Sequence, residues 1–464
     1  MRPRATSFAL ILTVLLVGWK PAPNSPHRAC FPPEYCPPAK YLILMIGDGM
    51  GDNQRRAATL YSGTAPAYVS WPKYWVSTYP DDGSYDPDQA WTNFSYVLNG
   101  WTDSAAAATA LDTGVKTDNI RISVSADGLT RLVSIADKAR SAGKAVGAVT
   151  TVQISHATPG AWLAHNDLRE NGFAIADESL WGNPNTTGTP ITSTYYSGGH
   201  GLTLPPADVV IGAGHPAWNG GTYVNDAIRA KLAAESGSPG AFTFVERLAG
   251  NPDGGARLLS AADNLATLRL AGLFGGAGGN LEYRKANGSG ANLENPTLAE
   301  MTLAAINILD NDPDGFTLVV EGGAIDWAAH ANQPGRMIEE LLDFNQAAEA
   351  VVSWVESYSS WADTLVVVTG DHETGYLWGP ESDPAWQPLV NHGAGALPGM
   401  QFNTLNHTNS LIALYARGEG AQAFAAQLSG FDPVRGSYVD NTRIAQVVFK
   451  SFSAYQAFLP VVRR

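Results

Sequence analysis

Four short apolar runs constrain this chain more than any other feature, each cut off by a glycine, a threonine or a carboxylate. Tyr41-Leu-Ile-Leu-Met-Ile46 stops at Gly47, Ala145 to Thr150 ends near Thr151, Phe316 to Val320 ends at Glu321, and Thr364 to Thr369 ends at Gly370. A run of this length without polar alternation fits a strand buried on both faces, as in a parallel sheet. Long helical or loop segments separate the runs. Ser104 to Leu111 is Ala-rich, and Leu129 to Ala142, Leu298 to Leu309 and Met337 to Trp354 carry apolar residues at helical spacing. The last of these has Glu339, Glu340, Asp343 and Glu349 on its polar side. Strands alternating with helices predict a doubly wound α/β fold, a mostly parallel central sheet with helices on both faces.

The segments outside this alternation set the domain boundaries. Arg2 and Arg4 precede the apolar stretch Phe8 to Trp19, which is too short to span a bilayer and fits an export signal over residues 1–20. The cleavage point stays open, and an uncleaved N-terminal anchor is the alternative. Residues 21–39 form a Pro-rich leader, 40–456 the main domain, and 457–464 a short tail. Within the main domain, about 171–206 and 377–405 are rich in Gly, Pro, Ser, Thr or Asn and read as loop excursions. Cys30 and Cys36 are either one short-loop disulfide of an exported chain or two free thiols. Export places the protein in a periplasm, on a cell surface or outside the cell.

Ligands bind open α/β sheets at the carboxyl ends of the strands, so the residues following each run are the candidate site. Gly47-Asp48-Gly follows the first, His156-Ala-Thr158 the second, Glu321, Asp326 and His330 the third, and Asp371-His372 the fourth. Each alone is an ordinary turn or surface residue; together they bring metal-type ligands to one sheet edge. On a helix, Asp326 and His330 face one side and can share an ion, with His407 as a third ligand from a late loop. Ser104 opens the helix Ser104-Ala-Ala-Ala-Ala. It is either a plain N-cap or a nucleophile set where backbone N–H groups favour an anion. A serine hydroxyl is a poor nucleophile at neutral pH, and metal coordination activates it without a histidine base. The chain carries a net charge of −14 and no basic run, which argues against nucleic-acid binding. Bound cations would let so acidic a protein hold an anion.

The segments Ile46-Gly-Asp-Gly-Met50, Thr102-Asp-Ser-Ala-Ala106, His156-Ala-Thr-Pro159, Val320 to His330, Thr369-Gly-Asp-His-Glu373 and His407-Thr408 resemble, in order, the motifs of the alkaline phosphatase family. The resemblance implies hydrolysis of phosphate monoesters through a phosphoserine on Ser104, two zinc ions, one magnesium ion and often a homodimer. Carried over by position, Asp326, His330 and His407 resemble the first zinc site. Asp48, Asp371 and His372, with Ser104, resemble the second, and Asp48, Thr158 and Glu321 the magnesium site. Arg169 resembles the residue whose guanidinium holds two phosphoryl oxygens. His156 and Trp327 stand where other members carry Asp and Lys. His156 is then a ligand of the third metal or of one of its waters, which leaves that metal's identity open. Trp327 either covers the phosphate pocket or fills space. With three divalent ions, the four carboxylates, a Ser104 alkoxide and Arg169 sum to a charge of about +2, complementary to a monoester dianion. A phosphodiesterase of the same superfamily and a silent metal-binding surface protein are the rival readings. A sulfatase would need a Pro and Arg spaced after the nucleophile, where this chain has four Ala.

Overall fold

Apolar residues alternate between two cores because the chain threads its strands through the middle of a three-layer stack. The computed structural model describes residues 39–456 apart from 191–192, 194, 196–202, 220, 277–280 and 282–289. The export signal, the leader up to residue 38, Cys30, Cys36 and the tail 457–464 lie outside the described residues. The strands are β1 (Tyr41–Gly47), β2 (Lys73–Ser77), β3 (Ala145–Gln153), β4 (Val209–Ala213), β5 (Thr243–Glu246), β6 (Leu270–Phe274), β7 (Phe316–Gly322) and β8 (Thr364–Gly370). The short β9 (Glu373–Thr374) and β10 (His407–Thr408) follow, then β11 (Ile412–Gly418), β12 (Leu428–Asp432) and β13 (Gly436–Asp440). Eleven strands form one sheet in the order β12-β13-β2-β11-β8-β1-β7-β3-β4-β6-β5. Every pairing from β8 across to β5 is parallel, while β11 is antiparallel to both its neighbours.

Helices cover both faces. Those used below are α1 (Asp52–Ser62), α2 (Ser104–Thr113), α3 (Ile135–Ser141), α4 (Ala157–Leu163), α5 (Gly172–Trp181), α6 (Leu298–Leu309), α7 (Ala324–His330) and α8 (Pro334–Tyr358). Tyr41, Ile43 and Met45 of β1 point into one core with Met301 and Ala305 of α6 and Leu341 and Phe344 of α8. Leu42, Leu44 and Ile46 point into the other with Ile135, Leu163 and Leu180. This is the side-chain period of two expected of a strand, with apolar partners on both sides.

Three sequence expectations need correction. The helix expected over Leu129–Ala142 is confined to α3, because Arg131 bridges back to Val124 and Ser134 with Asp137 forms a capping box that starts the helix later. The excursion expected over 171–206 opens with the buried helix α5, whose Ala174, Ile175 and Leu180 pack inward. On α8, Glu340 and Asp343 are not on a solvated face: each is 4% exposed.

Asp343 has a consequence for stability. Both its carboxylate oxygens reach the Leu298 N–H at the start of α6, at 3.3 and 3.2 Å. Burial pushes its pKa up to about 7, against the lowering from that N–H. The folded value lies above the ordinary carboxylate value of about 4. The neutral form therefore stabilises the fold fully below about pH 4, and that stabilisation is lost as pH rises through about 7. Asp343→Asn is expected to raise Tm by about 3–6 °C at pH 8 and to leave it unchanged near pH 4. Equal shifts at both pH values in thermal melts would contradict this.

Candidate metal centre and nucleophile

Sheet register gathers the site. Gly47 of β1 pairs with Gly322 of β7 and with Gly370 of β8, so Asp48 and Asp371 leave β1 and β8 side by side, with Glu321 on β7 just before that pairing. The chain turns after β1 through Gly49, at φ 70°, where a Cβ would come within 2.9 Å of the Asp326 Cα. Only glycine takes that conformation at that approach without displacing Asp326. β3 leads to His156 at the N-cap of α4 and Thr158 in its first turn. α7 carries Asp326 and His330 one turn apart, with Oδ2 and Nε2 separated by 3.3 Å. His407 arrives on β10, which pairs with β9 just beyond β8. The donor atoms of Asp326, His372 and His407 lie within 4.8 Å of one another, as do those of Asp48, Asp371 and His372 and those of Asp48, His156 and Glu321.

The outer partners of these side chains decide which atoms face the centre. His407 Nδ1 donates to the Thr102 carbonyl at 2.8 Å, and His330 Nδ1 donates to the Leu405 carbonyl. A carbonyl only accepts, so both rings keep a lone pair on Nε2, and the two Nε2 atoms face each other at 2.9 Å. Two lone pairs at that distance repel unless a proton or a cation lies against them. Burial lowers the His330 pKa and Asp326 raises it, with the net at about 9, so the position favours positive charge. Thr374 Oγ1 donates to Asp326 Oδ1 and can then accept from His372 Nδ1 at 3.3 Å, which leaves the His372 Nε2 lone pair inward as well. The carboxylates follow the same rule. Asp371 Oδ1 accepts from the Gly49 and His372 N–H groups at 3.0 and 2.8 Å, and Glu321 Oε2 accepts from Thr150. Asp371 Oδ2, Glu321 Oε1, Thr158 Oγ1 and His156 Nδ1 are buried without a hydrogen-bond partner. Buried polar atoms are rarely left so, and the three oxygens are atoms of a kind that ligates metal ions.

Charge points the same way. Asp48, Glu321 and Asp371 are fully buried and Asp326 is 4% exposed. Burial pushes Glu321 and Asp371 each up to about 7, and holds Asp48 well above the ordinary carboxylate value, with Asp371 adding to it. Carboxylates this close cannot all ionise at neutral pH without cations among them. The donor set of carboxylates, imidazoles and a hydroxyl suits zinc and magnesium.

Ser104 sits in the middle. Its Oγ is 3.2 Å from His372 Nε2 and 3.4 Å from each oxygen of Asp48. It is the first residue of α2, and the cap is Asp103, whose carboxylate accepts from the Ala106 N–H at 2.9 Å. The helix start therefore does not occupy the serine hydroxyl. Asp103 also holds Arg169. Its Oδ2 accepts from Arg169 Nη1 at 2.9 Å, which turns the guanidinium toward Ser104. Arg169 Nη2 meets His156 Nε2 at 3.2 Å, and burial with Arg169 pushes the His156 pKa down to about 3. His156 is therefore a neutral ring that accepts from Arg169 at Nε2, which leaves its proton on Nδ1, a donor beside Asp48 and Glu321. Trp327 lines the pocket over Ser104 and meets the His156 ring edge-on, with centroids 6.0 Å apart.

All ten expected metal and catalytic residues converge, with His156 and Trp327 beside them. His165 does not join them: it is buried between Glu178 and Asp137 at 3.2 and 3.3 Å. Sequence reasoning missed Asp103 as the holder of Arg169, and Thr374 and Thr150 as the residues that orient Asp326, His372 and Glu321. The acid before the serine was the only signal among them, and it reads as a cap.

Comparison with known proteins agrees with this geometry. The sequence pattern of the alkaline phosphatase family matches residues 39–429. Alkaline phosphatase 4 of Bacillus subtilis is 32% identical over 364 residues, covering 75% of this chain and 65% of its own. The chain thus spans slightly under two thirds of that relative's length. Alkaline phosphatase of Escherichia coli is 31% identical over 427 residues, covering 83% of this chain and 82% of its own. The crystal structure of Thermus thermophilus alkaline phosphatase superposes with a TM-score of 0.63 at 23% identity, covering 90% of this chain and 92% of that one.

Proposed function

The chain belongs to the alkaline phosphatase family, and we propose that it hydrolyses phosphate monoesters to an alcohol and inorganic phosphate with Ser104 as nucleophile. The observation that carries this is the direction of the donors: His330, His372 and His407 all turn Nε2 inward, around a serine that no cap interaction occupies. Asp326, His330 and His407 would hold one zinc ion, and Asp48, Asp371 and His372, with Ser104, a second. Asp48, Glu321 and Thr158 would hold magnesium, with the His156 Nδ1–H placed to hold a water of that ion rather than the ion itself. Bound there, the ions supply Lewis acidity and lower the pKa of the serine hydroxyl.

The chain's own residues do the rest. Ser104 Oγ attacks phosphorus and the alcohol oxygen leaves on the opposite side, the in-line course of phosphoryl transfer. Arg169, fixed by Asp103, holds two of the equatorial oxygens through its fork, and the N–H groups at the start of α2 favour the anion. Water then cleaves the phosphoserine and restores Ser104. The monoester dianion matches a site whose metals, carboxylates, alkoxide and Arg169 sum to about +2. A diester offers one anionic charge fewer, which favours this reading over a phosphodiesterase. Residues 40–456 form the catalytic unit of this proposal, and residues 1–20 direct export.

Arg169→Ala is expected to weaken inorganic phosphate as a competitive inhibitor by about 10- to 100-fold, the worth of a charge-assisted pair. Asp103→Asn, which keeps the guanidinium but loosens it, should fall between that variant and the parent. To test the function itself, a monoester and a diester with the same leaving group would be compared on the metal-loaded protein. The monoester should have the higher kcat/KM by about 10²-fold or more, and a diester turned over as fast or faster would overturn the proposal.

A further inference from the structure

The pocket over Ser104 is larger than the group it must hold, and its spare wall is aromatic. Its volume is about 300 Å³, room for roughly ten waters at about 30 Å³ each, where a phosphoryl group needs only a few of those. Apart from Ser104, Arg169 and the proposed ligands, the lining consists of Trp101, Trp327 and Asn406. No further charged side chain lines it among the described residues, so little there could select a polar or ionic leaving group.

Trp101 is placed where a leaving group must emerge. Ser104 Oγ approaches phosphorus from the side of His372 and Asp48. In-line displacement expels the alcohol away from Ser104 Oγ, into the pocket that Trp101 and Trp327 line. The Trp101 indole rests edge-on against His407, with ring centroids 5.4 Å apart at 71°. That histidine is itself anchored on the Thr102 carbonyl. Trp327 stands against His156, which is held by Arg169. Each indole thus leans on a fixed ring, and both remain half-buried along the pocket.

Resting on the phosphatase reading above, we propose that Trp101, together with Trp327, forms a subsite for a flat aromatic leaving group, so that aryl phosphate monoesters are the preferred substrate class. Ring-on-ring contact contributes beyond simple burial and favours a flat group over an alkyl chain of equal size. Trp101 acts here by touching the substrate's alcohol part and takes no part in the bond change.

The test uses phenylphosphonate and methylphosphonate, whose P–C bonds are not hydrolysed, so leaving-group acidity does not enter. Binding is measured by titration calorimetry on the zinc- and magnesium-loaded protein, beside turnover of phenyl phosphate and an alkyl phosphate. Phenylphosphonate is expected to bind about 5- to 10-fold more tightly than methylphosphonate. Trp101→Val should remove most of that ratio and Trp101→Phe should keep it, while methylphosphonate affinity changes by less than about 2-fold. Equal affinities in the parent protein, or an equal loss for both phosphonates in Trp101→Val, would overturn the aryl subsite and leave Trp101 as a prop for His407. Turnover of both esters with equal phosphonate affinities overturns the subsite alone. Turnover of neither ester overturns the phosphatase reading beneath it as well.

Discussion

Ser104→Ala is expected to lower kcat by a factor on the order of 10³ or more, with metal content and Tm nearly unchanged. The size of the effect follows from the role proposed for the residue as nucleophile. Removing one oxygen removes the nucleophile, and the two-step route through a covalent intermediate closes. What survives is direct attack by water on a phosphoryl group still positioned by Arg169 and the α2 N-terminus. The small effect on folding follows from the packing. Asp103, not Ser104, caps α2, and the alanine run that follows is a strong helix former. Affinity for inorganic phosphate should persist for the same reason, since Arg169 is held by Asp103. Rate and binding would therefore separate in this variant, whereas Arg169→Ala would move both. A variant that kept a tenth or more of the parent kcat would remove Ser104 from the chemistry.

Stripping the metal ions is expected to abolish turnover and to lower Tm at pH 8 by about 10 °C, since ions that bind only the folded state stabilise it by mass action. The centre explains why the fold should depend on them. Asp48, Glu321 and Asp371 are completely buried, and Arg169 is close enough to act on Asp48 and Glu321. Without metals, burial holds Glu321 and Asp371 up at about 7. Those values lie above the ordinary carboxylate values near 4. In the metal-free protein the protonated carboxyls therefore stabilise the fold below about pH 4, and this stabilisation is lost as pH rises through about 7. With metals bound, the ligands must be deprotonated, so affinity increases with pH. The gap in Tm between loaded and chelated protein should thus widen from pH 5 to pH 8. A gap that is constant or narrows over that range would mean that these carboxylates do not hold cations.

Much of this site was legible before the structure because of where its ligands fall. β8, β1, β7 and β3 are neighbours at the middle of the sheet and buried along their whole length, so each appears as a run of mostly apolar residues without polar alternation. The residue that ends each run is then a candidate ligand. β2 and β12 lie toward one end of the sheet and are partly exposed, with mixed sequences that give no such run. β4 and β6 are buried too, but each is 5 residues long, against 7 or 9 for those four central strands. Orienting contacts were hidden for a different reason. Arg169 meets Asp103 across 66 residues, Thr374 meets Asp326 across 48, and Thr150 meets Glu321 across 171. A threonine beside nothing distinctive in sequence acquires its role only when the sheet closes. Glu340 and Asp343 misled in the opposite sense: a helical polar stripe predicts a solvated face, and here α8 is packed against α6 and α7 over that stripe as well.

The covalent intermediate is the centre of this account and can be observed directly. The zinc- and magnesium-loaded protein would be incubated with inorganic phosphate, quenched in acid and digested, and its peptides examined by mass spectrometry. One phosphoryl group on the peptide that contains Ser104, absent from Ser104→Ala and from the chelated protein, is the predicted result. Phosphate on a different residue, or full monoester turnover with no phosphoserine trapped at any quench time, would contradict it.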